Sequence, residues 1–465
     1  MTIYRWLVPP IVVTALVGFY IGPDKRWPST DSLTTSSAAI AEKYRADADR
    51  LIDAALTDNS AYQRIGYIAD VFGPRFSGTP SLEASIDWVM DQMRRDGFDV
   101  VKGEPVMVPH WVRGDESAEL VAPRRQKLNM LGLGSSIGTP PGGVTAPLIV
   151  VSSFDELTRR SAEARGKIVL FDVPFTTYRE TQPYRTQGAV AAARVGAIAI
   201  LVRSVASASM QSPHTGNMRY DSTVVRIPAA AVSVEDALML HRLIDRGEKP
   251  VVTLRMGAQM LPDVQSRNIV AQINGSEKPE EIVVLGGHID SWDVGRGAMD
   301  DAGGAVAAWE AVRLIKKLGL KPRRTIRVVL WTNEENGARG AAAYRDAHSS
   351  ELSKHVLAIE SDNGTFAPVG FRVTGSEFVL AAGQGVGSLL TRINAGTVER
   401  ERDGPETDIA PLVEKGVPGM GLTVDRTKYF WYHHSAADTF DKLDAREVAS
   451  CVAAMAVMAY VMADR

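Results

Sequence analysis

Three short apolar runs, Ile282–Leu285, Ile326–Trp331 and Val356–Glu360, constrain this chain most, because each one ends at carboxylates. Short apolar runs closed by glycine or polar loops read as interior strands of a parallel sheet, covered on both faces. Residues just beyond such strands lie where open α/β sheets bind ligands. The first run breaks at Gly286–Gly287 and presents His288 and Asp290, followed by Asp300 and Asp301. An apolar-periodic helix over Ala302–Leu318 comes next, with Asp301 placed to cap it. The second run ends in Thr332–Gly337, which holds the adjacent pair Glu334 and Glu335, and the third ends at Asp362. Adjacent glutamates at a strand end are costly to ionise together without a cation. A strand over Gly419–Val424 precedes Tyr429–Asp438, where His433 and His434 stand in an aromatic setting. Asp438 is near enough there to orient an imidazole through its second nitrogen.

Two histidines with carboxylates, one of them bridging, suit two metal ions about 3.5–4 Å apart. Such a pair lowers the pKa of water and polarises a carbonyl oxygen, and a free carboxylate beside it can take the proton and pass it to a departing amine. Glu334 and Glu335 are the candidates for that free group. The chemistry is metal-assisted hydrolysis of an amide.

Composition limits the alternatives. With 465 residues, 45% of them hydrophobic, the chain is long enough for two or three cores. A formal net charge of -3 without a basic run argues against nucleic-acid binding. The single cysteine, Cys451, excludes a thiolate cluster within the chain and falls in an apolar segment, where a buried structural role fits.

Residues 1–27 carry Arg5, an apolar run from Trp6 to Ile21, and then Asp24, Lys25 and Arg26. The pattern is that of a secretory signal or an N-terminal anchor. It implies an extracytoplasmic protein, secreted or periplasmic, with a membrane tether if the segment is retained. Residues 28–43 read as a Ser/Thr-rich linker, and helix is expected over Glu42–Leu56. The motif GPRFSGTP at Gly73–Pro80 reads as scaffold ahead of an amphipathic helix. Residues 44–114 and 264–465 form the two parts of a catalytic α/β domain, interrupted by a β-rich insert over 115–263. In the insert, short strands at Lys167–Phe171, Ala197–Val202 and Val251–Leu254 alternate with helices at Gln187–Val195 and Val234–Arg246. His214 and His241 stand alone there, so the insert is expected to shape access and dimer contacts without supplying chemistry. Ser266–Ile273 reads as an edge-like strand resuming the main fold.

HIDSWDVGRGAMDD, LWTNEENG, ESDNGTF and HHSAADT together resemble the motifs of the dizinc aminopeptidase and carboxypeptidase family of co-catalytic exopeptidases. The resemblance runs from about Tyr44 to the end. It implies the zinc-exopeptidase fold, with a mostly parallel central sheet flanked by helices, and gives the insert the character of a protease-associated domain. It also implies two Zn²⁺ per chain, short peptide substrates and a homodimer. Carried over by position, His288 and Asp362 would hold one zinc, Glu335 and His434 the other, and Asp300 would bridge them. Glu334 would be the general base and Asp290 would orient His288. His434 is preferred to His433 because it stands directly before a hydroxyl residue, Ser435. Two other classes fit the fold: a non-catalytic receptor, and an aminoacyl cyclase, which resembles single-zinc sites. The complete ligand set disfavours both. No cationic or acidic anchor for a peptide terminus stands out; Asp408 reads equally as a contact for a substrate amine and as a helix cap.

Overall fold

Parallel pairing of the apolar runs builds the centre of the molecule. A computed structural model describes residues 37–465, so the N-terminal signal or anchor segment lies outside the described residues. The strand Lys278–His288 is flanked on both sides by parallel partners, Arg324–Trp331 and His355–Glu360. The register sets His288 beside Trp331 and Gly286 beside Glu360, so the three polar ends emerge at one edge. Every residue of Arg324–Trp331 is buried. Its two arginines are accommodated by acids, Arg324 by Glu281 and Arg327 by Glu351.

Five more strands extend this sheet to eight: Val100–Val112 and Gln259–Ile273 on one side, Gly419–Val424, Pro368–Thr374 and Thr397–Arg400 on the other. Four of its strand pairings are parallel and three antiparallel. The expected edge strand is interior: Gln259–Ile273 is bonded to Val100–Val112 on one side and Arg324–Trp331 on the other. Its outer partner arrives from far upstream in the chain, so no local pattern announces it.

One face of the sheet is covered by the helices Gly303–Lys317, Ala445–Asp464 and Ser37–Thr57, which share a single apolar core. Ser37–Thr57 begins within the stretch expected to be linker, because Ala38–Ala41 are good helix formers that bury Ile40 against the core. Ala445–Asp464 is, among the described residues, the one helix long and apolar enough to cross a membrane. It is buried as a core helix, and Cys451 lies within it, its thiol donating to the Phe366 carbonyl.

The insert has its own eight-stranded sheet, which includes Glu116–Ala122, Val144–Val151, Ile168–Phe171, Ala199–Arg203, Ala229–Val232 and Val251–Met256. Two separate apolar clusters line it. The helix Val234–Asp245 starts as expected, with Ser233 accepting from the Asp236 amide at 3.1 Å. The helix expected at Gln187–Val195 instead spans Tyr178–Arg194 and carries Pro183 inside it. Proline reads as a breaker, but Thr177 and Glu180 form a capping pattern upstream of it, and the Thr177 hydroxyl accepts from the Glu180 amide at 3.3 Å.

Candidate metal centre and active site

The site forms where the Lys278–His288 strand ends. Gly287 is required there by close approach: a Cβ would come within 2.3 Å of the Asp301 carboxylate and 2.8 Å of the Ala305 amide. Asp301 accepts from the Gly304 amide at 3.0 Å, the helix-capping contact expected of it, and also from the His288 amide at 3.1 Å. It therefore ties the strand end to the helix start.

His288 is buried, and its Nδ1 lies 3.0 Å from the Asp290 carbonyl. A carbonyl only accepts, so this contact puts a proton on Nδ1 and turns Nε2 inward, the nitrogen that would be free to bind a metal. Nε2 lies 3.2 Å from Asp300 Oδ1 and 3.4 Å from Asp362 Oδ1. Across the site, His434 Nε2 is 3.4 Å from Asp300 Oδ2 and 3.1 Å from Glu335 Oε2. His433 is stacked on it with ring centroids 3.5 Å apart and has its Nε2 3.6 Å from Asp300 Oδ2. His434 thus faces both acids. It holds a left-handed backbone conformation, φ 60°, which is uncommon for a side chain of this size and recurs at functional sites. Asp300 lies between the two histidine positions.

Several polar atoms of these groups lack a hydrogen-bond partner. Asp300 Oδ2, Glu335 Oε1, His433 Nδ1 and His434 Nδ1 are buried without a hydrogen-bond partner. Three sets of donors each lie within 4.8 Å of one another: Asp300, His433 and His434; His288, Asp301 and Asp362; His288, Asp300 and Glu335. Burial first, then Asp300, raises Glu335 well above the carboxylate range. Burial, with Asp362, Asp290 and Asp300 outweighing the opposing pull of His288, pushes Glu334 up to about 8. Burial opposes protonation of His288, but Asp290, Asp300 and Asp362 overcome it and hold the ring well above its ordinary range. Burial and the neighbouring His433 hold His434 well below it. A nitrogen and oxygen donor set with uncompensated buried charge fits divalent metal.

Three expected contacts take a different form. The Asp290 carboxylate stands 3.6 Å from His288 Nδ1 and accepts instead from the amides of Glu334 at 3.1 Å and Glu335 at 3.4 Å. It is the Asp290 carbonyl that orients the ring, while the side chain holds the glutamate loop. Asp438 orients no histidine: its carboxylate accepts from the amides of Ala298, Met299 and Asp300 at 2.8–3.1 Å. Asp408 neither reaches the cavity nor caps a helix. Both its oxygens are buried without partners beside Glu360, and Glu406 lines the cavity in its place.

Two contributions escaped the sequence reading. Arg75, in GPRFSGTP, is fully buried and donates to the carbonyls of Ile289, Gly73, Arg296 and Gly297 at 2.8–3.1 Å, pinning the loop that follows His288. An arginine in a Gly/Pro/Ser loop was the only local signal. The insert also touches the site. His214 Nδ1 is 2.6 Å from the His433 carbonyl, and the Thr215 amide donates to the His434 carbonyl at 2.9 Å. A cavity of about 620 Å³ opens over Asp300, Glu334, Glu335 and Asp362, and Tyr178 and Arg185 of the insert also line it.

The model of peptidase family M28 matches residues 268–459. Carboxypeptidase Q of Mus musculus is 50% identical over 406 residues, 87% of this chain and 86% of that protein. The crystal structure of a peptidase M28 precursor from Shewanella amazonensis superposes with a TM-score of 0.88 at 33% identity, covering 91% of this chain and 97% of the other. BSAP, a zinc aminopeptidase from Bacillus subtilis, shares the fold with a TM-score of 0.66 at 21% identity, covering 86% of this chain and 94% of its own.

Proposed function

We propose a two-metal hydrolytic mechanism for this chain, working from the premise that the chain belongs to peptidase family M28 and is a metallo-exopeptidase. The observation that carries the proposal is Asp300, whose two oxygens face His288 on one side and His434 on the other. In this reading His288 and Asp362 would hold one zinc and Glu335 and His434 the other, with Asp300 between them as a shared ligand. Two zinc ions, when bound, supply Lewis acidity that strengthens water as a nucleophile and polarises the substrate carbonyl. The rest falls to the chain. Asp290, through its hydrogen bonds to the Glu334 and Glu335 amides, presents both glutamates to the cavity. Glu334, held high by burial and its acidic neighbours, takes the proton from the attacking water and returns it to the departing amine. Asp438 and Arg75 keep the Asp300 loop in place.

The substrates are short peptides, in keeping with a cavity of about 620 Å³ closed on one side by the insert. The insert corresponds to a protease-associated domain, a reading supported by its independent sheet and core. An extracytoplasmic setting is supported by Arg5 ahead of the apolar run Trp6–Ile21. A homodimer and an N-terminal tether complete the proposal. The test is metal content together with turnover: full-length protein prepared without chelator should carry two zinc ions per chain and cleave a dipeptide library. Full activity at a stoichiometry that never exceeds one would refute the dinuclear reading.

A further inference from the structure

The catalytic domain supplies the hydrolytic groups, yet one wall of the cavity belongs to the insert. Tyr178 and Arg185 are seven residues apart on the helix Tyr178–Arg194, two turns along one face, and both line the cavity. Arg185 is only 4% exposed. Its Nη2 donates to the Tyr178 hydroxyl at 2.7 Å, its Nη1 to the Thr215 carbonyl at 3.3 Å, and its Nε has no partner. Among the described residues no carboxylate forms an ion pair with it, whereas the buried Arg324 and Arg327 each have one, and the buried Arg75, also without one, is satisfied by four carbonyls. A buried guanidinium without a counter-ion is costly unless an anion arrives to pair with it.

The surroundings form a built seat. A Cβ on Gly216, at φ +139°, would come within 2.3 Å of the Arg185 guanidinium carbon, so this residue must lack a side chain for the arginine to lie where it does. The Tyr178 ring stands edge-on to His433 at 5.3 Å, which sets the pair against the histidine side of the proposed metal centre. The catalytic domain lines the cavity with Asp362 and Glu406, and with Arg426.

We infer that Arg185, braced by Tyr178, is the receptor for the free α-carboxylate of a short peptide, so that the insert reads the substrate's carboxyl end. A guanidinium matches a carboxylate in shape and charge, with Nε and one Nη forming the two-pronged donor edge. The inference rests on the exopeptidase reading and adds to it the residue that selects a free terminus.

The experiment compares a dipeptide with its carboxyl-terminal amide on zinc-loaded full-length protein, for the unaltered chain and for Arg185→Lys and Arg185→Gln. The unaltered chain should prefer the free acid by about a hundredfold or more in kcat/KM, since a site built to bond a group rejects the analogue lacking it. Arg185→Gln should reduce that ratio at least tenfold, mainly through KM for the acid, with the amide affected far less, and Arg185→Lys should fall between. An unchanged ratio, with both substrates slowed equally, overturns the inference and leaves Arg185 a bracing residue. If the unaltered chain cleaves neither compound, the exopeptidase reading fails on its own account. Calorimetric binding then decides the receptor: acid binding lost in Arg185→Gln supports it, and equal binding of acid and amide overturns it.

Discussion

Replacing Arg75 by methionine probes how the site is held together. The guanidinium makes four hydrogen bonds, to the carbonyls of Ile289, Gly73, Arg296 and Gly297. Each bond to a charged donor is worth about 1.5–3 kcal/mol net, so the four together reach roughly 6–12 kcal/mol. Removing a fully buried charge returns several kcal/mol of desolvation. Burial is in fact the largest influence on Arg75, lowering it to about 10 against the support of Asp438, Asp290, Asp301 and Glu335. The expected net loss is about 3–5 kcal/mol, the size seen when one partner of a buried charged contact is deleted. Urea unfolding with an unchanged m-value measures it. Arg75→Lys, which keeps the charge but not the fork, should lose less. A loss below about 1 kcal/mol for Arg75→Met would refute the view that this side chain holds the loop between His288 and Asp300.

Glu334→Gln should retain both metals and lower turnover by about 10²–10⁴, the usual contribution of a positioned acid–base group, whereas Glu335→Ala should lose zinc and activity together; elemental analysis beside dipeptide kinetics separates the two. Chelated protein should lose stability as pH rises from about 7 to 8: Glu334 is pushed up to about 8, and Glu335 and Asp301 lie well above their unfolded range, so the folded state binds more protons there and stability falls with pH. The histidines His433 and His214, held by burial at about 3 and about 4, are neutral in both states within that window. A melting temperature that rises between those pH values would contradict the sign. His214→Ala should slow turnover about tenfold, the equivalent of one hydrogen bond of about 1.4 kcal/mol lost from the His433 loop, while His241→Ala, whose ring pairs with Asp172 inside the insert, should be silent; equal effects would dissolve the distinction.

By itself the sequence determined the parts whose information is local. A strand covered on both faces must be largely apolar, so Ile282–Leu285, Ile326–Trp331 and Val356–Glu360 declared themselves, and the acids following them had to share one edge once the strands paired in parallel. The types of donor were legible for the same reason. Their partners were not. A carboxylate accepts as readily from a backbone amide as from an imidazole, so nothing in the spacing of Asp438 or Asp290 could say that both would hold backbone amides. Nor could local pattern show that Arg75 would meet carbonyls 214 to 222 residues away, or that His214 would reach across 219 residues to the loop of His433. Those contacts depend on how the insert and the catalytic domain pack. An isolated histidine or arginine acquires its role only when folding removes it from water and leaves it one partner to choose.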